Sequence, residues 1–353
     1  MKPKILFLNS ATCAQHGATG RILTDLMASL RADCDPIVMG REPIQRLQGV
    51  TYFCQSMHHN PRSVLSMVWF YMRLLISIPR LPKINMVISM TDPPFMGFFG
   101  WSIARLHRAP HIHWVQDVYP DILPVFGYPV MLKSLMRRMM HAADALVVIG
   151  RCMAQRIALP CHVIENWSEI DFYDPIRTPN KPFRILYAGT CSGAHRTLFN
   201  DDFENVYVDF VGKGSEFVRL KNHYANDPKI RFLDPLPQDQ IEGMMRQVHV
   251  HLVTLNDQAV GCMVPSKFYS AMACGKPVLF LGSRESEIAQ IINAYKIGIV
   301  VDGDMRLSPA IAILKNDYDL YQSHVIQARH IFLAAQSLKK WHSLMDHFLK
   351  EKS

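Results

Sequence analysis

The sequence predicts an α/β protein of two Rossmann-like, doubly wound domains facing each other across a cleft. Three observations carry that expectation. Short apolar runs alternate with helix-patterned stretches; the alternation breaks once at a polar, proline-rich segment; it then restarts. A length of 353 residues is also long for one domain and suits two.

In the first half, strand-like runs begin at Lys4 (KILFLNS), Asp35, Val50, Met86, His111 and Ala145, with a short one at His162. Helical patterns lie between them near 19–31, 62–78, 95–107 and 129–142. Strands that are apolar throughout belong to a parallel sheet covered on both faces. The break holds Asp174-Pro175 and Thr178-Pro179-Asn180-Lys181-Pro182. Strand-like runs then resume at Phe183, Val206, Ile230, Val248, Pro277 and Ile297. In the helical tail, Trp341, Leu344, Met345 and Phe348 share one face, which predicts their burial. The expected organisation is a first domain over 1–170, a linker over 171–182, a second domain over 183–330, and a last helix over 331–353 returning to the first domain. Ligands of such sheets bind beyond the carboxyl ends of the strands. Two such edges suit an enzyme with two substrates, or a periplasmic-type binding protein. A strand-like run directly after Met1, with no cleavage site, speaks against the latter.

A chain 49% hydrophobic and 19% charged has the balance of a folded globular protein, not of a disordered one. The eight cysteines form no Cys-x-x-Cys pair, so they read as reduced thiols in a cytoplasmic protein with no bound metal. His111 and His113, and His249 and His251, are spaced by two, which puts each pair on one strand face as core or cleft-lining side chains. The whole net charge of +8 falls on residues 1–165, where 17 Lys and Arg meet 9 Asp and Glu. A one-sided basic domain fits an anionic partner, such as membrane lipid or a phosphate-bearing acceptor. No basic stripe interleaved with aromatics points to nucleic acid. The apolar run Val64–Ile78 contains Arg73 and is too short to span a bilayer. It reads either as a buried helix or as an amphipathic face resting on a membrane, flanked by Arg62, Arg80 and Lys83.

The most informative segment is VPSKFYSAMACGKPV, Val264–Val278. Pro265 and Ser266 can open a helix, with Ser266 as a cap and Lys267 in the first turn; Gly275 can close it. Free N–H groups and a lysine at a helix start suit a diphosphate or a ribose. In order along the chain stand TDPP (Thr91–Pro94), DVYPD (Asp117–Asp121), HVIENWSEIDFYDP (His162–Pro175), ILYAGT, DFVGKG and FLDPLP. Together these motifs resemble glycosyltransferase family 4, in its bacterial cell-surface polysaccharide subgroup, over nearly the whole chain.

The resemblance implies a GT-B fold and a retaining, metal-independent transfer without cofactor. The sugar would pass from a UDP- or GDP-sugar to a glycan or lipid-linked acceptor in surface polysaccharide synthesis, at the inner membrane face. It also implies roles for residues. Gly17 and Gly20 would form a glycine-rich loop near the ligand. Gly189 and Thr190 would lie at the donor diphosphate, with Arg196 as its main clamp and Lys267 as a second; Thr190 stands where relatives carry a first basic residue. Gly212, Lys213 and Leu236 would line the donor site. The backbone of Gly261, Cys262 and Met263 would address sugar hydroxyls, and Val264, Pro265 and Ser266 the nucleotide. Cys262 and Ser270 stand where relatives carry two glutamates; Ser270 makes at best a shorter contact to the ribose. Gln116 replaces a histidine, so acid–base work nearby falls to Asp117, whose other reading is a structural cap of its loop. Two rival readings stay open: a nucleotide-sugar epimerase on the same fold, and a non-catalytic nucleotide-sugar-binding partner of a glycosyltransferase complex.

Overall fold

The computed structural model describes residues 2–55, 64–119, 121–126, 133–168, 170, 172–173, 182–191, 193–194, 205–303 and 306–350. The chain divides into two compact units. The first comprises 1–123, 129–165 and 335–353; the second comprises 124–128 and 166–334.

The first unit runs β1 (Lys4–Leu8), α1 (Ala18–Leu30), β2 (Asp35–Arg41), β3 (Thr51–Gln55), α2 (Val64–Ser77), β4 (Met86–Ser89), α3 (Met96–His107), β5 (His111–Val115), α4 (Lys133–His141), β6 (Ala145–Val148), α5 (Arg151–Ile157) and β7 (His162–Val163). Its described strands form one sheet in the order β3-β2-β1-β4-β5-β6-β7. Every pairing is parallel. Strands β4, β5 and β6 are buried along their whole length, as their unbroken apolar runs predict. The helical pattern near 129–142 begins in the structure at Lys133, and residues 127–132 lie outside the described set. Helix α5 was not expected: its seven residues, RCMAQRI, bury Met153 alone and carry too short a pattern to be read.

The His111/His113 pair behaves as core. Ser89 Oγ sits between His111 Nε2 at 2.8 Å and His113 Nδ1 at 2.9 Å. Burial holds both rings well below the usual histidine range, His113 at about 4, so both are neutral. Gly97 makes room for the second ring, since a Cβ there would lie 2.7 Å from His113 Cε1.

The second unit runs β8 (Phe183–Thr190), β9 (Val206–Lys213), α6 (Ser215–His223), β10 (Ile230–Leu233), α7 (Gln238–Gln247), β11 (Val250–Thr254), α8 (Lys267–Ala273), β12 (Val278–Leu281), α9 (Glu287–Tyr295), β13 (Gly298–Val301), α10 (Leu307–Asn316) and α11 (Tyr318–Ala328). Its described strands form a second parallel sheet, β10-β9-β8-β11-β12-β13. His249 and His251 are buried here: Arg184 N donates to His249 Nδ1 at 3.0 Å, and His251 Nε2 lies 2.9 Å from Met245 O.

The proline-rich connector at 174–181 lies outside the described residues. The chain just before it packs on the second unit: Tyr173 N donates to Ala273 O at 3.1 Å, and Arg246 stacks over the Tyr173 ring at 4.3 Å.

The last helix, α12 (Ala334–Lys350), closes the first unit. Trp341 is fully buried against Trp114 of β5, ring centroids 4.6 Å apart. Lys340 Nζ donates to Glu165 Oε2 at 2.5 Å, and His342 lies 3.1 Å from Ser29 Oγ. Leu344 and Met345 are buried as expected; Phe348, near the helix end, is only half-buried.

Candidate functional site

Each sheet reverses its strand order once, between β1 and β4 in the first unit and between β8 and β11 in the second. Chains diverge at such a point and leave a crevice beyond the carboxyl ends of the strands, where ligands of this architecture bind.

In the second unit, Lys267 lies across the end of β8. Its Nζ donates to Thr190 O at 3.3 Å and stands 5.0 Å from the centroid of the Tyr187 ring. Gly189, with φ of 126°, makes this possible: a Cβ there would be 2.9 Å from Lys267 Cε. Its sheet partner Gly212 (φ 151°) is needed for the same reason, since a Cβ would fall 2.0 Å from Gly189 O. Gly189, Thr190 and Lys213 are exposed at this edge, so an ammonium and strand-end backbone face solvent together. Asn256, not singled out in the sequence, ties the next loop: its N donates to Ala194 O at 2.8 Å and its Nδ2 to Gly193 O at 3.1 Å. Arg196 lies outside the described residues.

Several expectations for this unit need correction. Ser266 sits at the start of α8, but its side chain makes no capping bond. The amides of Phe268 and Tyr269 are not free: they donate to Pro265 O (3.2 Å) and Ser266 O (3.0 Å). The tight turn into the helix satisfies them locally. Cys262 is fully buried, and its N–H donates to Ala259 O at 2.9 Å, so it offers a sugar neither side chain nor amide. Ser270 is 4% exposed inside α8. Val264 and Pro265 are likewise buried; Met263 and Ser266 keep part of their surface open. Gly261 adopts φ of 70° in the turn before them. Leu236 is half-buried on the cluster of Leu186, Ala188, Val211 and Val248. Gly275, at φ of 65°, ends the helix as predicted.

In the first unit the two glycines of the early loop differ. Gly17 (φ 106°) leads into α1 with open space where a side chain would stand, but its N–H donates to Ala14 O at 3.3 Å and its carbonyl accepts from Arg21 N at 3.0 Å. Gly20 serves packing instead: a Cβ would lie 2.1 Å from Cys13 O. Asp117 lines a small, partly open pocket with Thr91, Phe95, Gly97, His113 and Tyr119. Burial, and then the nearby charge of Asp92, push its carboxyl up to about 7. Thr91 Oγ1 accepts the N–H groups of both Gln116 and Asp117 at 3.3 Å. The loop is thus held by its backbone, which leaves the Asp117 carboxyl available to the cavity. Asp92, whose carboxylate accepts from Ser10 Oγ, lies within electrostatic range of Asp117, a neighbourhood not legible in the sequence because Ser10 follows β1 and Asp92 follows β4.

Among the described residues, no group of three or more His, Cys, Asp or Glu is placed to hold a metal ion. Nor is any described helix long and apolar enough to cross a membrane.

No family model matches the chain. Over 250 residues it is 28% identical to a "Probable glycosyltransferase WbjE" of Pseudomonas aeruginosa, a match covering 61% of each chain. The match thus spans about three fifths of the curated relative's length. Among solved structures, HepE of Anabaena, in complex with UDP and glucose, superposes with a TM-score of 0.69 at 13% identity, covering 98% of this chain and 100% of its own. Sucrose-phosphate synthase of Thermosynechococcus elongatus gives 0.72 at 11% identity, covering 99% and 100%. The fold is GT-B. Both units are the Rossmann-like sheets of that fold, and the expected architecture holds across the chain.

Proposed function

We propose that the chain is a retaining glycosyltransferase that moves a sugar from a nucleoside-diphosphate sugar to a glycan or lipid-linked acceptor in surface polysaccharide assembly. The observation that carries the reading is Lys267, laid over Gly189 and Thr190 at the open carboxyl edge of the second sheet. A fixed ammonium there meets the main need of the reaction, since breaking a glycosyl–phosphate bond leaves a nucleoside diphosphate anion. Arg196 would add a guanidinium fork. Retention needs no protein nucleophile if the acceptor attacks from the face the diphosphate leaves. The similarity to a glycosyltransferase and the UDP and glucose bound by HepE support a UDP-sugar donor first, a GDP-sugar second.

Thermal denaturation with a panel of nucleotide sugars tests this. The right donor at 100 times its dissociation constant adds about 2.7 kcal/mol of stability. Transfer of label from that donor to a membrane extract should follow. No stabilisation by any nucleotide sugar would count against the reading. Stabilisation without transfer would favour the non-catalytic partner, which the burial of Cys262 and Ser270 suits.

A membrane-surface location belongs to the same reading. In α2 only one face is buried, by Phe70, Leu74 and Ser77, while Leu65, Val68, Trp69, Met72, Leu75 and Ile76 are exposed. The Arg73 guanidinium lies 4.8 Å from the Trp69 ring centroid, an amphipathic pairing suited to the headgroup level. With the net charge of +8 in the first 165 residues, anionic lipid is the fitting surface. Each basic group near it contributes about 1 kcal/mol, weakened by salt. In flotation assays the protein should rise with anionic vesicles at low salt and less at high salt. Equal binding to neutral and anionic vesicles, or to neither, would remove the electrostatic face.

A further inference from the structure

Phe95 breaks two local rules at once. Among the described residues, five other than glycine adopt positive φ. Arg108, Ala158 and Lys296 do so just past helix ends, where a left-handed residue closes the last turn. Asn205 belongs to the residue type that tolerates the conformation. Phe95, at φ 75° and ψ 2°, instead stands before a helix, at the N-cap of α3. An N-cap is ordinarily extended, and its side chain accepts a hydrogen bond from a free amide of the first turn. The phenyl ring makes no such bond. Glycine would relieve the backbone, and asparagine would relieve it and cap the helix as well. A bulky aromatic at this position therefore lowers stability with no gain to the helix, the kind of local misfit that gathers at ligand sites.

The surroundings hold Phe95 in place. Met96 N donates to Pro93 O at 3.2 Å, and the Phe95 carbonyl accepts the amides of Phe98 at 3.0 Å and Phe99 at 3.2 Å. Tyr71 of α2 secures the approach: its hydroxyl donates to Pro94 O at 2.5 Å, and its ring meets that of Phe99 at a centroid distance of 5.8 Å. Phe95 is thus fixed in the loop after β4, half-buried, on the wall of the pocket that also holds Asp117. Buried Met96, Met139 and Met140 contribute apolar lining to that pocket, and Thr91, Asp117 and Tyr119 contribute polar groups.

We propose that Phe95 is the platform for the acceptor's terminal sugar ring, and that the pocket beside it selects among sugars. The ligand's standing as an acceptor rests on the glycosyltransferase reading; recognition of a sugar ring by Phe95 does not. A pyranose presents two unlike surfaces, a face of C–H bonds and a rim of hydroxyls. The C–H face packs on an aromatic ring, and the hydroxyls turn to nearby polar side chains. Phe95 supplies the first surface, and Asp117 with Tyr119 the second. The pocket is small, so it admits a substituent of the sugar rather than the whole ring, and sugars that differ at that substituent are told apart there. The strained backbone fixes the phenyl ring before the sugar arrives, which leaves less ordering to the binding step.

One half of the test is thermal unfolding. Phe95→Gly and Phe95→Ala lose the same ring, but only glycine is at ease in the left-handed region. The glycine variant should unfold about 2–4 °C above the alanine variant. The other half is saturation-transfer NMR with methyl glycosides of glucose, galactose, mannose and N-acetylglucosamine, each at millimolar concentration. In the wild type, saturation should reach the ring C–H protons of at least one glycoside. It should vanish in both small variants and persist in Phe95→Trp, or in Phe95→Tyr if the indole prevents folding. UDP, probed in the same way, should respond equally in all of them. With a working transfer assay, Phe95→Ala should raise the acceptor KM about tenfold at unchanged donor KM. A glycine variant no more stable than the alanine one, no glycoside response in the wild type, or a response that survives in both small variants overturns the proposal. A Phe95-dependent glycoside response in a chain that neither binds UDP nor transfers sugar upholds it and overturns the functional reading alone.

Discussion

Replacing Lys267 with alanine should lower turnover on the true substrates by about 10²–10³, the loss found when one preorganised charge donor is removed from a developing anion. The ammonium is held by Thr190 O and the Tyr187 ring before any ligand arrives, so no reorganisation is needed as the diphosphate leaves. The deficit should appear in kcat as well as in donor affinity, because the charge on the leaving group grows toward the transition state. Lys267→Arg should restore only part, since a planar fork cannot follow the same path over Gly189. The amine is exposed, so the thermal midpoint should hardly move. An alanine variant with near-normal turnover would remove Lys267 from the site and take the main support from the proposed function.

The largest stability effect is expected in the last helix. Trp341→Ala should cost about 3–5 kcal/mol, the range for emptying a buried aromatic position. The indole is fully buried on Trp114, which belongs to the central part of the first sheet, so the cavity would open where collapse is hardest. Trp341→Phe should lose much less. It keeps most of the ring contact and removes an indole N–H that is buried without a partner among the described residues. Chemical denaturation of the three proteins checks this. A loss under about 1 kcal/mol for the alanine variant would mean that α12 is not part of the first unit's core.

Most of the architecture was legible because parallel strands buried on both faces leave unbroken apolar runs, and each expected run became a strand. The run beginning at His162 kept only two residues in the sheet, at an edge where one neighbour pairs with it. What the sequence could not give was direction. Val64–Ile78 is mostly apolar in sequence and reads either as buried or as amphipathic, and only the structure separates its buried Phe70 and Leu74 from its exposed Leu65 and Trp69. Glycines posed the same problem. Gly17 and Gly20 look alike as loop residues, yet one is open and the other fills a contact with Cys13. At the site, Lys267 and Gly189 were legible through their motifs. Asp92 and Ser10 were not, since their pairing arises only when β1 and β4 lie side by side.

The discontinuity of the first unit has a consequence for how the chain is made. Its sheet is complete by residue 163, yet the helix that covers Trp114 begins only at Ala334. During synthesis the ribosome must produce the entire second unit before that indole can be covered. At about 5–20 residues per second the exposed aromatic waits roughly ten to thirty seconds while a complete neighbour folds. The nascent first unit is therefore the species most in need of a chaperone, and ribosomes stalled late in translation should leave it sticky while the second unit is already sound.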